Sequence, residues 1–167
     1  MQGGHDGPYA APLRIEGGTV ASGWLDYNGH MNVAWYGHAF DRAVERILAR
    51  ELGLGEGRAR AERQGLYALQ ASFHYLAELR LGERFDFAGL LIDCDAKRLH
   101  LMLEMRKPDA TVAATCEQIL MNVDLSTRRP APWPDAALAR LARMRRAHAD
   151  VPRPAQFARP LGLRRGG

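Results

Sequence analysis

A chain of 167 residues is the size of one ordinary domain, long enough to bury a core without a metal or disulfide staple. Lys and Arg number 23 against 19 Asp and Glu, and the excess gathers between Arg128 and Arg165, a run that reads as a solvated face and excludes nucleic acid as the expected partner. No apolar run approaches the ~20 residues of a membrane span, no signal pattern opens the chain, and Cys94 and Cys116 sit in apolar runs without ligand spacing, so a cytoplasmic protein with reduced cysteines and neither membrane nor metal site is expected.

Residues 1–17 are Gly- and Pro-rich and read as a flexible N-terminal arm, and Thr19 to Leu25 as a short first strand. From Asn32 to Leu52 the pattern is helical. Val33, Tyr36, Phe40, Ala43, Val44, Ile47 and Leu48 recur at three- and four-residue steps opposite Asp41, Arg42, Glu45, Arg46 and Arg50. Asn32 suits the N-cap, and Gly53 can end the helix in a left-handed conformation. The first two helical turns are apolar almost all round, which implies burial on more than one side.

Leu54 to Gly65 has room for one short helix. The period then changes to two, with strands expected at Leu66–Leu79, Arg84–Asp95, Arg98–Arg106 and Thr111–Asp124, joined by hairpin turns at Asp95–Lys97 and Lys107–Ala110. In the last strand the apolar set changes parity near Glu117-Gln118, which predicts a bulge there. Pro130, Pro132 and Pro134 stop the sheet, Asp135 to His148 reads as a short helix, and Val151 to Gly167 as a Pro/Arg tail. The order of strand, long helix and four antiparallel strands predicts an α+β fold in which one curved antiparallel sheet wraps a central helix. Residues 18–126 form the main domain in this reading, and residues 127–167 the C-terminal helix and tail. An open edge strand predicts pairing of copies, as a homodimer or a dimer of dimers.

The stretch Asp26-Tyr27-Asn28-Gly29-His30-Met31-Asn32 lies where strand gives way to helix. A helix start offers unpaired N–H groups that favour an anion or a polarised carbonyl oxygen, so a carboxylate, an imidazole and an oxyanion site can share one turn. Structure alone also explains these residues: Asn28-Gly29 is a strong turn signal, and Asp26 or Asn32 can simply cap the helix.

Followed by Tyr36, Phe40-Asp41 and Ala43, the run Asp26-x-Asn28-x-His30-Met31-Asn32 resembles the hotdog-fold thioesterases of the 4-hydroxybenzoyl-CoA type. Tyr75 to Glu83, Asp95 to His100 and Cys116 to Asp124 resemble more narrowly the betainyl-CoA thioesterases of carnitine breakdown, and the likeness covers roughly residues 18–155. The resemblance implies a hotdog fold and hydrolysis of a small acyl-CoA to free acid and CoA, with no cofactor apart from the CoA of the substrate. It puts the catalytic carboxylate at Asp26 and the N–H that polarises the thioester carbonyl near Val33. The 4-hydroxybenzoyl-CoA enzymes have apolar or small residues where this chain has Asn28, His30 and Asn32, whereas plant acyl-ACP thioesterases use Asp, Asn and His of a similar motif together; in the second arrangement Asn28 and His30 join the catalytic set. Asp26 then either attacks the carbonyl or deprotonates a water, and His30 can protonate the departing thiolate.

Asn32, Trp35 and Tyr36 are the expected substrate-binding residues. For a quaternary ammonium acyl group the aromatic candidates are Trp24, Tyr27, Trp35, Tyr36, Tyr67, Phe73 and Tyr75, with Trp35 and Tyr36 favoured by their closeness to Asp26. Glu78 and Glu117 are either second carboxylates or ordinary exposed strand positions. Two competing readings remain, a hydratase of the same fold and a non-catalytic acyl-CoA-binding protein. The hydratase motif Asp-x-Asn-Pro-x-His fits poorly, because His30 follows Asp26 by four residues and Gly29 stands in place of the Pro.

Overall fold

The computed structural model describes residues 4–162, so the expectations for residues 1–3 of the arm and 163–167 of the tail fall outside the described residues. The first strand, β1, is Leu13–Thr19, and only a 3-10 turn at Ser22–Trp24 occupies the stretch expected to be extended. The last five residues of the supposed loose arm, 13–17, are therefore strand. Leu13 and Ile15 alternate inward and Tyr9 is buried beside them, because pairing with a later strand supplies the partner that the short Gly-rich segment needs. Helix α1 spans Val33–Ile47 and continues through a wide turn at Leu48–Leu52 to Gly53, whose φ of 70° supplies the left-handed stop. Asn32 caps it as expected, its side chain accepting from the Ala34 N–H at 2.9 Å.

Helix α2 (Glu56–Glu62) leads into β2 (Gln64–Tyr75), β3 (Arg84–Cys94), β4 (Arg98–Arg106), β5 (Val112–Asp124), the two-residue β6 (Arg129–Pro130) and α3 (Asp135–His148). All pairings are antiparallel. The sheet runs in the order β1-β3-β4-β5-β2, with β6 beside β5. The inward faces of β3 and β4 place Phe85, Phe87, Leu91, Leu99, Leu101, Leu103 and Met105 in one core with Tyr36, Phe40, Ala43, Val44 and Ile47 of α1. Each such buried side chain stabilises by roughly 1.5–3 kcal/mol relative to exposure. Gly89 sits where helix and sheet press closest, since a Cβ there would lie 3.2 Å from Ile47 and 3.3 Å from Ile15. This is the expected helix-in-sheet, α+β hotdog fold.

The bulge expected at Glu117-Gln118 is absent from β5. The register with β4 runs unbroken from Met121 to Ala114, and the irregularity opposite this part of β5 falls on β2, between Ala68 and Gln70. Parity does not change because Gln118 and Asn122 continue the inward set as buried polar residues. Asn122 Nδ2 donates to Gln64 Oε1 at 2.9 Å and to the carbonyls of Ala131 and Pro132 at 3.1 and 3.0 Å, which satisfies the amide nitrogen, while its Oδ1 is buried without a partner among the described residues. Cys116 lies on the same inward row, and burial pushes its thiol up to about 12.

Helix α3 packs Ala137, Leu141 and Met144 into the main core and ends on His148, which is fully buried. The segment after it crosses the outer face of the sheet, where Val151, Pro152 and Pro154 share the lining of a cavity of about 350 Å3 with Ala88, Leu90 and Met102. Among the described residues no helix is long and apolar enough to cross a membrane, and no three His, Cys, Asp or Glu side chains gather as a metal would require.

Candidate active site

The stretch from Leu25 to Met31 is a closed turn. Leu25 and Met31 form an isolated antiparallel bridge, the Asp26 N–H donates to the His30 carbonyl at 3.1 Å, and the Gly29 N–H donates back to the Asp26 carbonyl at 3.0 Å. Gly29 takes a φ of 80°, which a side-chain-bearing residue adopts only with strain. The turn explanation and the site explanation thus hold together: this loop brings the first and last of its five residues side by side. Asp26 Oδ1 lies 4.0 Å from His30 Nδ1 and accepts the Asn28 N–H at 2.8 Å. Two further bonds fix the turn to the fold, from Met31 N–H to the Leu79 carbonyl at 2.7 Å and from Asn32 N–H to the Trp24 carbonyl at 2.8 Å.

Beside the turn opens a cleft of about 390 Å3, lined by Asp26, His30, Met31, Val33, Tyr36, Tyr75, Leu76, Ala77 and Glu78. Four of the seven expected site residues line it: Asp26, His30, Val33 and Tyr36. Asn28 contributes its backbone N–H to Asp26 while the residue itself is exposed. Asn32 and Trp35, expected at the substrate, are off the cleft wall. The Asn32 side chain is occupied as the helix cap, and Trp35 stacks on Trp24 with ring centroids 5.0 Å apart and planes 12° from parallel. At α1 the Ala34 and Trp35 N–H groups are taken by Asn32, whereas the Val33 N–H has no acceptor among the described residues. The cleft therefore offers a carboxylate and an imidazole along a mainly apolar wall, with the first residue of α1, Val33, in its lining.

The thioesterase-like superfamily model matches residues 20–141, which include the turn, the helix and the whole of β2 to β5. The chain belongs to that superfamily. This thioesterase is 33% identical over 141 residues to the betainyl-CoA thioesterase of Pseudomonas aeruginosa, covering 84% of this chain and 88% of that one. It is 32% identical over 130 residues to the L-carnitine dehydrogenase/betainyl-CoA thioesterase of Agrobacterium fabrum, where the match takes 78% of this chain and only 26% of the larger protein. A Staphylococcus aureus protein solved in complex with CoA is similar at a TM-score of 0.85 and 28% identity, over 95% of this chain and all of that one. A Pseudomonas putida KT2440 protein assigned as a thioesterase follows at 0.80 and 28%, over 93% of this chain.

The cleft of the thioesterase also contains residues that sequence periodicity did not mark. Strand β2 stops at Tyr75, and Leu76 and Ala77 leave the ladder because both their N–H groups turn to the Ala113 carbonyl, at 2.9 and 3.1 Å. That departure swings Leu76, Ala77 and Glu78 to the cleft wall, where a continuous strand to Leu79 was expected. Tyr36 and Tyr75 meet edge to face with centroids 5.3 Å apart, and burial raises the pKa of both phenols. They remain neutral hydroxyls near neutral pH. Met31 is 1% exposed and packs beneath the turn, a position with no periodic signal of its own.

Proposed function

We propose that the thioesterase hydrolyses the thioester of a small acyl-CoA, betainyl-CoA being the leading candidate, with Asp26 as the reacting carboxylate. The observation that carries this reading is the position of Asp26 on the wall of a mainly apolar cleft whose lining also includes Val33, the first residue of α1, with an N–H that has no acceptor among the described residues. In this reading the thioester carbonyl oxygen lies toward Val33, where the N–H and the helix dipole stabilise the oxyanion as it forms. Asp26, oriented by the Asn28 N–H, either removes a proton from water as that water attacks, or attacks the carbonyl itself and forms an anhydride that water then opens. His30 stands close enough to steady the carboxylate or the water, and a thiolate leaves readily with or without its proton. No cofactor is called for beyond the CoA of the substrate.

The acyl group is assigned from the relatives named as betainyl-CoA thioesterases, and from a cleft wall that is aromatic and acidic. A cytoplasmic setting fits two free cysteines, one of them buried. Pairing into a homodimer or a dimer of dimers is supported by β2, an edge strand that leaves Tyr67, Leu69 and Tyr75 exposed. Release of free thiol from a panel of betainyl-CoA and short and medium neutral acyl-CoAs, measured beside binding of the same panel, tests the proposal. Thiol release with preference for betainyl-CoA agrees with it; binding without release makes the protein a sensor instead.

A further inference from the structure

We infer that Glu78, together with the rings of Tyr36 and Tyr75, selects a positively charged acyl group in the Asp26 cleft, an assignment that rests on the thioesterase reading of that cleft. A quaternary ammonium has no N–H to donate, so hydrogen bonds cannot recognise it; charge and aromatic faces are what remain. The wall of this cleft supplies both. Among the described residues its lining contains the carboxylates of Asp26 and Glu78 and no Lys or Arg, and the rest is apolar or aromatic apart from His30.

The two carboxylates have separate tasks. Asp26 is held by the Asn28 N–H at the helix start and works on the carbonyl carbon. Glu78 sits beyond the end of β2, with its side chain 55% exposed, and is assigned the acyl group rather than the carbonyl. Tyr75 is half exposed, stands edge to face with Tyr36, and lies parallel to Phe73 at 6.4 Å, so a continuous aromatic row leads from the core to the cleft. Trp35, the other aromatic near Asp26, is committed to Trp24 and cannot serve. The simpler account of Glu78 is its ion pair with Arg80 at 3.1 Å, but Arg80 is 73% exposed and off the cleft wall, and such a surface pair has little energetic value of its own.

The two accounts differ in what Glu78→Gln does to a matched pair of substrates. Betainyl-CoA and 3,3-dimethylbutyryl-CoA have the same shape, with a quaternary nitrogen in one where the other has carbon. Removal of Glu78 is expected to lower kcat/KM about tenfold for betainyl-CoA and to leave the neutral thioester within about twofold, the size of one charge or cation–π contact at a half-exposed site. Tyr75→Leu should show the same selective loss, while Tyr75→Phe, which keeps the ring, should not. Arg80→Gln should sharpen the preference for the cation. An active enzyme whose ratio of the two rates is unchanged by Glu78→Gln overturns the assignment. Absence of thiol release from both substrates by the unaltered enzyme would instead defeat the hydrolase reading, and this inference with it.

Discussion

His148 is the most informative residue outside the cleft. Its ring is fully buried and joins three parts of the chain: Nδ1 accepts the Leu91 N–H of β3 at 2.9 Å, and Nε2 faces the Ala10 carbonyl at 2.8 Å. An N–H pointing at Nδ1 requires that nitrogen to be unprotonated, so the ring is neutral with its proton on Nε2. Protonation would set a second N–H against that of Leu91. Burial accordingly pushes the His148 pKa down; the bond to Ala10 and the charge of Glu51 oppose this, and Arg153 adds to it. The sign then follows. Above the ordinary histidine range both folded and unfolded chains hold a neutral ring, and the clamp contributes fully. As pH falls through about 6.5 the unfolded chain takes up a proton that the folded chain refuses, and stability drops by about 1.4 kcal/mol per pH unit until the folded-state pKa is reached. His148→Gln keeps a donor and an acceptor and removes the titration. Urea denaturation of both proteins from pH 8 to pH 5 should show the advantage of the wild type shrinking below about pH 6.5 at that slope, with other titrating groups cancelling in the difference. A constant difference across the whole range would refute the neutral-clamp argument. His148→Ala, which leaves the Leu91 N–H and Ala10 carbonyl unpaired, should cost about 3 kcal/mol at pH 7.5.

Gly29→Ala adds a methyl in open space but must hold a φ of 80°, so a stability loss of about 1 kcal/mol in thermal melts, with a several-fold lower kcat from a displaced Asp26, is expected. Trp35→Leu breaks the stack on Trp24 and should lower stability by about 1–2 kcal/mol, in keeping with a partly buried aromatic, while kcat/KM stays within about threefold, as fits a residue off the cleft. Leu69→Lys places a charge on the exposed edge strand β2 and should convert a dimer to monomer by light scattering; an unchanged mass would move the proposed interface elsewhere.

The parts of the fold legible in the sequence are those whose signal is local. Helix α1 repeats its apolar stripe over four turns between a good cap and a left-handed glycine, and β4 alternates with only Met102 out of step, so neither needed a partner to be recognised. Strand β1 was hidden because only Leu13 and Ile15 alternate before Gly17 and Gly18, and its stability comes from β3, far along the chain. The parity of β5 misled for a related reason. Gln118 and Asn122 look like outward residues until their inward environment is known, and the partners of Asn122 lie at Gln64, Ala131 and Pro132.

The site divides along the same line. Asp26, His30 and Val33 were marked by one contiguous motif that folds into one turn. Leu76 and Ala77 reach the cleft because β2 ends early on the Ala113 carbonyl, a long-range hydrogen bond that no local pattern announces, whereas Glu78 was already a candidate second carboxylate that an ordinary strand position explained equally well. Trp35 was assigned to the substrate by closeness in the chain, yet a helix turns each successive side chain by about 100°, and that rotation carries it to Trp24 while Tyr36 faces the cleft.

The carboxylate at the mouth of α1 is what the whole functional account depends on, and Asp26→Asn addresses it with almost no change in shape. Thiol release from betainyl-CoA by a variant whose melting transition matches the wild type should fall by a factor of about 10² to 10⁴, with CoA-thioester binding retained. Turnover within about tenfold of the wild type in that folded variant would contradict the account.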